Sequence, residues 1–202
     1  MKEMPIFEEV FNRLIRFPGF WVKFLIGGLL SFVPIVNIFA FGYLYRLSLR
    51  VRKSGQLVLP TWSDWLGLFH DGLRFALVWL VYWLLPILLA SLIAWLMTFV
   101  LLGALTSIFF LTVVLFSTVL FSSALYRYNM RQDLKDLSDV SLIFRMTWME
   151  IPRLILPAFV FLGLLVLLQP FYGFAIFGGF LLFLSYTSLR YQSIEENRSV
   201  SL

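Results

Sequence analysis

The chain has 202 residues, of which 61% are hydrophobic, 19% aromatic and only 13% charged, with a net charge of +5 and no cysteine. Soluble domains carry about 25% charged residues, so a water-facing surface cannot be assembled from this sequence, and without cysteine there is no disulfide framework, thiol nucleophile or thiolate metal site. The positive balance does not point to nucleic acid, because every charge falls within residues 1–23, 46–74, 127–153 or 190–202, where basic residues beside apolar tracts act as topology signals and headgroup contacts.

The N-terminal 16 residues hold Glu3, Glu8 and Glu9 and no clean apolar core, so no cleavable signal peptide is expected. From Pro5 the run PIFEEVFNRLIRF places Ile6, Phe7, Val10, Phe11, Leu14 and Ile15 at helical spacing. Glu8 and Glu9 sit at its start and Arg13 and Arg16 at its end, as the helix dipole favours. Residues 1–19 thus read as an amphipathic helix, either lying in the membrane interface or packed on the bundle.

Residues 24–45 form the first charge-free tract, long enough for one spanning helix. Pro34 and Asn37 interrupt it in SFVPIVN. One reading is a single span kinked at Pro34, where the ring removes a backbone hydrogen bond. The other is a re-entrant hairpin that turns at Pro34 and needs protein or water around its freed backbone groups. The single kinked span is the reading we take first.

LPTWSDWLGLFHDGL begins at Leu59. Thr61-x-x-Asp64 resembles a capping box, and Trp62, Trp65, Leu66 and Phe69 come next at helical spacing, with the Trp rings suited to headgroup depth. Gly72 ends or bends this helix before the next tract. Asp64 and Asp71 lie near one face. They would cap a helix and face solvent, or else dock a partner or hold Arg74 or another arginine. His70, the only histidine, is a candidate cofactor ligand, but one His with two Asp on a short helix is a weak metal set.

From Phe75 to Tyr126 no side chain is charged. That length suits two spans, about 75–100 and 104–127, turning near Gly103. SDVSLIFRMTW from Ser138 is a third amphipathic stretch, with Val140, Ile143, Phe144 and Trp148 on one side. The tract 154–189 suits two short spans turning at Pro170 and Gly173, and residues 191–202 form a polar tail. Leu44-Tyr45-Arg46 recurs as Leu125-Tyr126-Arg127, through a duplicated unit or through the common gathering of Tyr and Arg at helix ends.

The predicted fold is all-α: a polytopic transmembrane helix bundle of about five spans, the first kinked or re-entrant at Pro34, with interfacial amphipathic helices. It forms a single integral-membrane domain over 1–202, with helical membrane regions at 20–128 and 129–190. The basic loops 46–74 and 127–153 and the C-terminus fall on the cytoplasmic side of the membrane.

IGGLLSFVPIVNIFAFGYLYR together with LPTWSDWLGLFHDGL resembles the prokaryotic multi-pass membrane proteins of domain-of-unknown-function family 4013. The resemblance covers about residues 20–100; downstream only hydropathy agrees. It implies a multi-pass bacterial or archaeal membrane protein and carries no activity or catalytic residue.

The apolar tracts hold hydroxyls, Asn37 and Gln169 but no ionisable group apart from tyrosine, and hydroxyls in such helices bond their own backbone or a neighbouring helix. No phosphate loop or hydrolase motif is present. We therefore expect a non-enzymatic membrane scaffold or accessory subunit with no catalytic residues, metal or cofactor. It would bind membrane lipids or membrane proteins, as a homo-oligomer or within a larger complex, through Trp62, Trp65, Phe69, Asp64, Asp71, Arg46, Arg50, Arg127 and Arg131. The alternative is a transporter or channel for a lipid or small apolar molecule.

Overall fold

The computed structural model describes residues 6–98 and 103–200. Among them the chain is built of helices and turns, without a strand. In chain order the helices are α1 (Phe7–Ile15), α2 (Phe20–Ser31), α3 (Asn37–Ser54), α4 (Trp65–Trp79), α5 (Leu85–Thr98), α6 (Gly103–Arg131), α7 (Lys135–Ser138), α8 (Val140–Leu167) and α9 (Tyr172–Val200). A π-helical turn, Leu80–Leu84, joins α4 to α5, and a 3₁₀ turn, Gln169–Phe171, precedes α9. Four stretches are long and apolar enough to cross a membrane: Trp65–Thr98, Leu105–Arg131, Val140–Leu167 and Gln169–Asn197. The turn expected near Gly103 falls largely on residues 99–102, outside the described residues.

The chain forms two compact units, one of residues up to Ala76 together with those from Val160 onward, the other of Leu77–Phe159. In the first unit α9 is the axis. α2 runs antiparallel to it, with Phe24 against Phe174 and Gly178, and Phe32 against Tyr172 and Gly173. α3 runs parallel to it, with Phe41 on Phe180, Ser48 on Ser188 and Arg52 on Glu195. Two helices that run in opposite senses along a common neighbour have reversed direction between them. The Pro34 segment is therefore a hairpin turn, and the single kinked span is corrected. Pro34 lacks an amide hydrogen and Ile35 takes a left-handed φ of 75°, so a helix cannot continue through it. The Tyr172 hydroxyl donates to the freed Phe32 carbonyl at 2.7 Å. The 12 residues of α2 rise only about 18 Å, short of the roughly 30 Å hydrocarbon core.

Three further expectations are corrected. The Trp62–Leu73 stretch is not a separate interfacial helix: α4 continues through the π turn into α5. Gly72 does not end it, because it sits inside α4, where a methyl would collide with the Ile38 carbonyl. Gly42 meets the Leu68 carbonyl in the same way, so α3 and α4 cross backbone to backbone. Likewise the third amphipathic stretch runs unbroken into α8, past Pro152 and Pro157. The π turn ends just ahead of Pro86; there the Leu85 N–H donates to the Leu80 carbonyl, a wider turn that eases the clash a proline ring makes with the preceding turn.

α1 turns sharply into α2, at 95°, and packs Val10 and Leu14 inward with Phe7 edge-on to Tyr186. Of the six apolar residues of the stripe, Ile6 at the N-cap and Phe11 remain exposed.

In the second unit α5 packs along α6. The π turn places two donors against its neighbours: Trp83 Nε1 donates to Thr118 Oγ1 at 3.2 Å, and the Tyr82 hydroxyl donates to the Leu137 carbonyl. Thr147 on α8 donates to Ser123 on α6 at 3.0 Å. Most other hydroxyls in the apolar helices bond a carbonyl one turn back, as Thr112 does with Ile108 and Ser185 with Leu181, which satisfies them where no water is present.

Candidate functional site

The sequence-selected residues gather at the basic ends of the helices, within two separate clusters. In the first unit Arg46, on α3, reaches across to α4. Its Nε donates to Asp71 Oδ2 at 2.7 Å, one terminal nitrogen to Asp64 Oδ2 at 2.8 Å, and the other to the Ser63 carbonyl at 3.3 Å. Arg74 approaches the second oxygen of Asp71 at 3.4 Å. A guanidinium has a fixed fork of five donors, and here one fork ties the loop before α4 and the helix itself to α3. Gly67 lies beneath the fork, where a methyl would meet Arg46 and Asp64.

Asp64 has a second role. Its Oδ1 accepts from the Gly67 amide at 3.1 Å, and its backbone is left-handed, φ 59°. It is itself the N-cap of α4 rather than the third residue of a capping box begun by Thr61, and the Thr61 hydroxyl bonds Ser63 instead. The reason is Trp62, which stacks on Tyr43 with ring centroids 4.3 Å apart and planes 21° apart, an arrangement that draws residues 61–63 out of the helix. Asp71 is not solvated; its side chain is 19% exposed, inside the ion-pair cluster.

The electrostatics obey this geometry. Burial alone would lower the pKa of Arg46, but the hydrogen bonds and charges of Asp71 and Asp64 outweigh it and raise the value. The Arg46 hydrogen bond, then that of the Gly67 amide, hold the Asp64 carboxyl below its ordinary range.

The aromatic candidates line the same junction. Trp65 and Phe69 both touch Phe39, at 5.6 and 5.8 Å. The buried face of α4 lies to one side of the stripe of Trp62, Trp65, Leu66 and Phe69: Leu66 is 71% exposed, whereas Leu68 and Phe75 are fully buried. The same rotation occurs on α8, where Ile143 is buried but Val140, Phe144 and Trp148 point outward. Periodicity found the helices but not which apolar face meets protein. His70 is exposed, with Nδ1 2.9 Å from the Leu66 carbonyl of its own helix. Among the described residues no group of three His, Asp or Glu side chains is placed to hold a metal ion.

In the second unit Arg127 pairs with Asp136 at 3.0 Å, the two side chains 20% and 9% exposed. Asp139 caps α8 by accepting from the Leu142 amide at 3.2 Å. Sequence reasoning passed over Asp136 and Asp139; the signal that could have found them was an acid shortly after each Tyr-Arg pair. Arg50 and Arg131 are exposed. So the selected residues divide: Arg46, Arg127, Asp64 and Asp71 hold the fold's own helix junctions, while Arg50 and Arg131 face outward.

No curated protein and no solved structure matches the chain. A family model described as "Protein of unknown function (DUF4013)" matches residues 26–186, extending the likeness well past the motif-bearing first half. With most of its length matched, and with the arginine-tied junctions of α3 with α4 and of α6 with α7 inside that range, the chain belongs to the DUF4013 family.

Proposed function

We propose that the protein is a non-enzymatic integral scaffold or accessory subunit of a prokaryotic inner membrane, with the basic helix ends in the cytoplasm. The observation that carries this reading is how the side chains are apportioned. Most hydroxyls are bonded to carbonyls of their own helices, and Arg46 and Arg127 are paired with carboxylates of the same chain. Large apolar groups remain outward, including Leu92, Trp95 and Leu96 on α5 and Trp148, Leu156 and Phe159 on α8. Such faces associate by packing against other helices or lipid, which suits an adhesive role better than a chemical one.

Mild detergent extraction and then light scattering should return a homo-oligomer or a stoichiometric complex. A clean monomer that moves lipid between vesicles would favour the transporter reading, for which the buried Asn37 Oδ1, without a hydrogen-bond partner among the described residues, is the supporting feature. Orientation is tested by cysteines introduced at Gln56, Lys135 and Lys2. The α2–α3 hairpin returns the chain to its starting side, since Lys23 Nζ donates to the Leu59 carbonyl at 3.1 Å. All three should therefore be labelled from the cytoplasm alone.

A further inference from the structure

The corner between α1 and α2 separates two concavities of opposite chemistry. On one side lies an open cleft of about 500 Å³ whose walls include Asn12, Arg13, Arg16, Phe17 and Gln56. On the other lies an apolar groove of about 240 Å³, walled by Phe11, Leu14, Phe20, Phe24, Leu164 and Leu182 among others. Asn12 and Arg13 of α1, with Arg16 just past its end, line the cleft, while Phe11, Leu14 and Ile15 line the groove, so the helix is their shared wall.

Arg13 and Arg16 in the cleft wall, and Lys23 and Arg50 next to it, carry positive charge that carboxylates of the described residues do not neutralise. Arg16 and Arg50 have no carboxylate partner among the described residues, and Arg13 has only the exposed Glu9 at 3.8 Å. Lys23 lies over the Phe17 ring, 5.1 Å from its centre. Arg50 is near enough to Lys23 for the two like charges to act on each other. Like charges so placed cost energy unless an anion sits among them. The groove has the opposite need, since its walls are aromatic and aliphatic.

We propose that this corner is a binding site for one anionic phospholipid, its phosphate among Arg13, Arg16, Lys23 and Arg50 and an acyl chain in the groove beneath α1. An acidic protein segment would satisfy the arginines but leave the groove unfilled. A zwitterionic lipid would fill the groove without the net charge the cleft demands. The α1 cylinder, about 10 Å wide with its side chains, is the span that the glycerol and first chain carbons would cross. The proposal deepens the scaffold reading by naming one ligand; a chain that binds no such lipid can still recruit a protein partner, so the two fail separately.

The test uses the full chain in a neutral detergent, titrated with phosphatidylglycerol, phosphatidylcholine and glycerol 1-phosphate, with native mass spectrometry for bound lipid and thermal unfolding for stabilisation. Phosphatidylglycerol should be retained about tenfold more strongly than phosphatidylcholine, the worth of one to two basic residues at a lipid headgroup. The double variant Arg16→Gln, Arg50→Gln should lose that preference, while Arg16→Lys, Arg50→Lys keeps most of it. Both positions are charged and unpaired, so the variants should fold, with the lysine pair as control. Leu164→Trp should weaken phosphatidylglycerol by filling the groove. Equal retention of the two lipids, or an undiminished preference in the glutamine variant, overturns the proposal. So does competition by glycerol 1-phosphate at the same concentration as the lipid, which would mark a site for a free phosphate instead. Oligomeric state, measured on the same variants, reports on the scaffold reading independently.

Discussion

The two Tyr-Arg helix ends solve one problem with different degrees of burial. Each outgoing helix closes on a left-handed residue whose amide donates back one turn: Gly55 to Val51 and Gln132 to Tyr128, both at 2.8 Å. Each incoming helix is capped by an aspartate that accepts from the amide three residues on, Asp64 with Gly67 and Asp139 with Leu142. Each arginine then ties the outgoing helix to the next segment of chain. Arg46 binds two carboxylates, and the outer one, Asp64, is 64% exposed. Arg127 binds Asp136 alone, whose side chain is 9% exposed. One clamp is spread and wet, the other compact and largely dry. Exposed pairs contribute little, whereas removing one member of a buried pair strands a charge. The same sequence feature should therefore fail at very different cost in the two places.

The largest effect is expected from Arg127→Ala. It leaves Asp136 buried without its cation, a loss of about 3–5 kcal/mol, read as a large drop in unfolding midpoint in detergent. Arg46→Ala should cost less, about 2 kcal/mol from the loss of charge-assisted hydrogen bonds, because Asp71 retains Arg74 and Asp64 turns to water. If Arg46→Ala proves the more damaging, the dry-versus-wet distinction is wrong. Arg46→Lys sharpens the point, since a lysine is a single point charge and cannot span two carboxylates as the planar fork does; it should behave closer to Ala than to Arg.

How much of this was readable beforehand differs by layer. The charge-free tracts and the Pro34 interruption were plain in the sequence, because hydrocarbon excludes charge whatever the tertiary arrangement. The sense of the Pro34 break was not, since a kink and a hairpin use the same residues. The antiparallel run of α2 and the parallel run of α3 along α9 decide between them. Arg46, Asp64 and Asp71 were singled out, and an arginine held by the aspartates was one of the readings left open; that Arg46 is the arginine depends on α3 and α4 crossing at Gly42 and Gly72. Those glycines read as ordinary small residues until the facing carbonyls of Leu68 and Ile38 are seen. The amphipathic stripes left the buried face open for a physical reason: in lipid, an outward face is also apolar, so composition does not tell Leu66 and Trp148 from core.

The helix ends offer a gentler contrast. Gly55 adopts its left-handed φ of 64° without penalty, whereas Gln132 holds φ 58° with a side chain attached. Gly55→Ala should cost about 1 kcal/mol, and Gln132→Gly should gain about 0.5 kcal/mol, the relief of strain offset in part by the freer unfolded chain. Opposite shifts in the two unfolding midpoints, the one at Gly55 about twice the other, would place both residues in the cap role; no change at Gln132 would mean that some contact of its side chain offsets the strain.

The smallest effect is one of pH, and it separates the charge of Asp64 from its shape. Arg46 and the Gly67 amide hold the folded-state pKa of Asp64 below its ordinary value of 3.8. The unfolded chain therefore binds a proton on this carboxyl at a pH where the folded chain does not. The stabilisation is fully present above the unfolded value and is lost as pH falls through the folded one. Asp64→Asn keeps a side chain that tolerates left-handed backbone and caps a helix well but removes the charge. Wild type should exceed this variant slightly in unfolding midpoint near neutrality. The gap should close as the pH is lowered below about 4, where the carboxylate becomes protonated. Added salt should shrink it at neutral pH, since exposed charges are screened within a Debye length of about 10 Å at 0.1 M. A gap that widens on acidification would mean that Asp64 is held by burial rather than by Arg46, and that the outer arm of the clamp is as dry as its counterpart at Arg127.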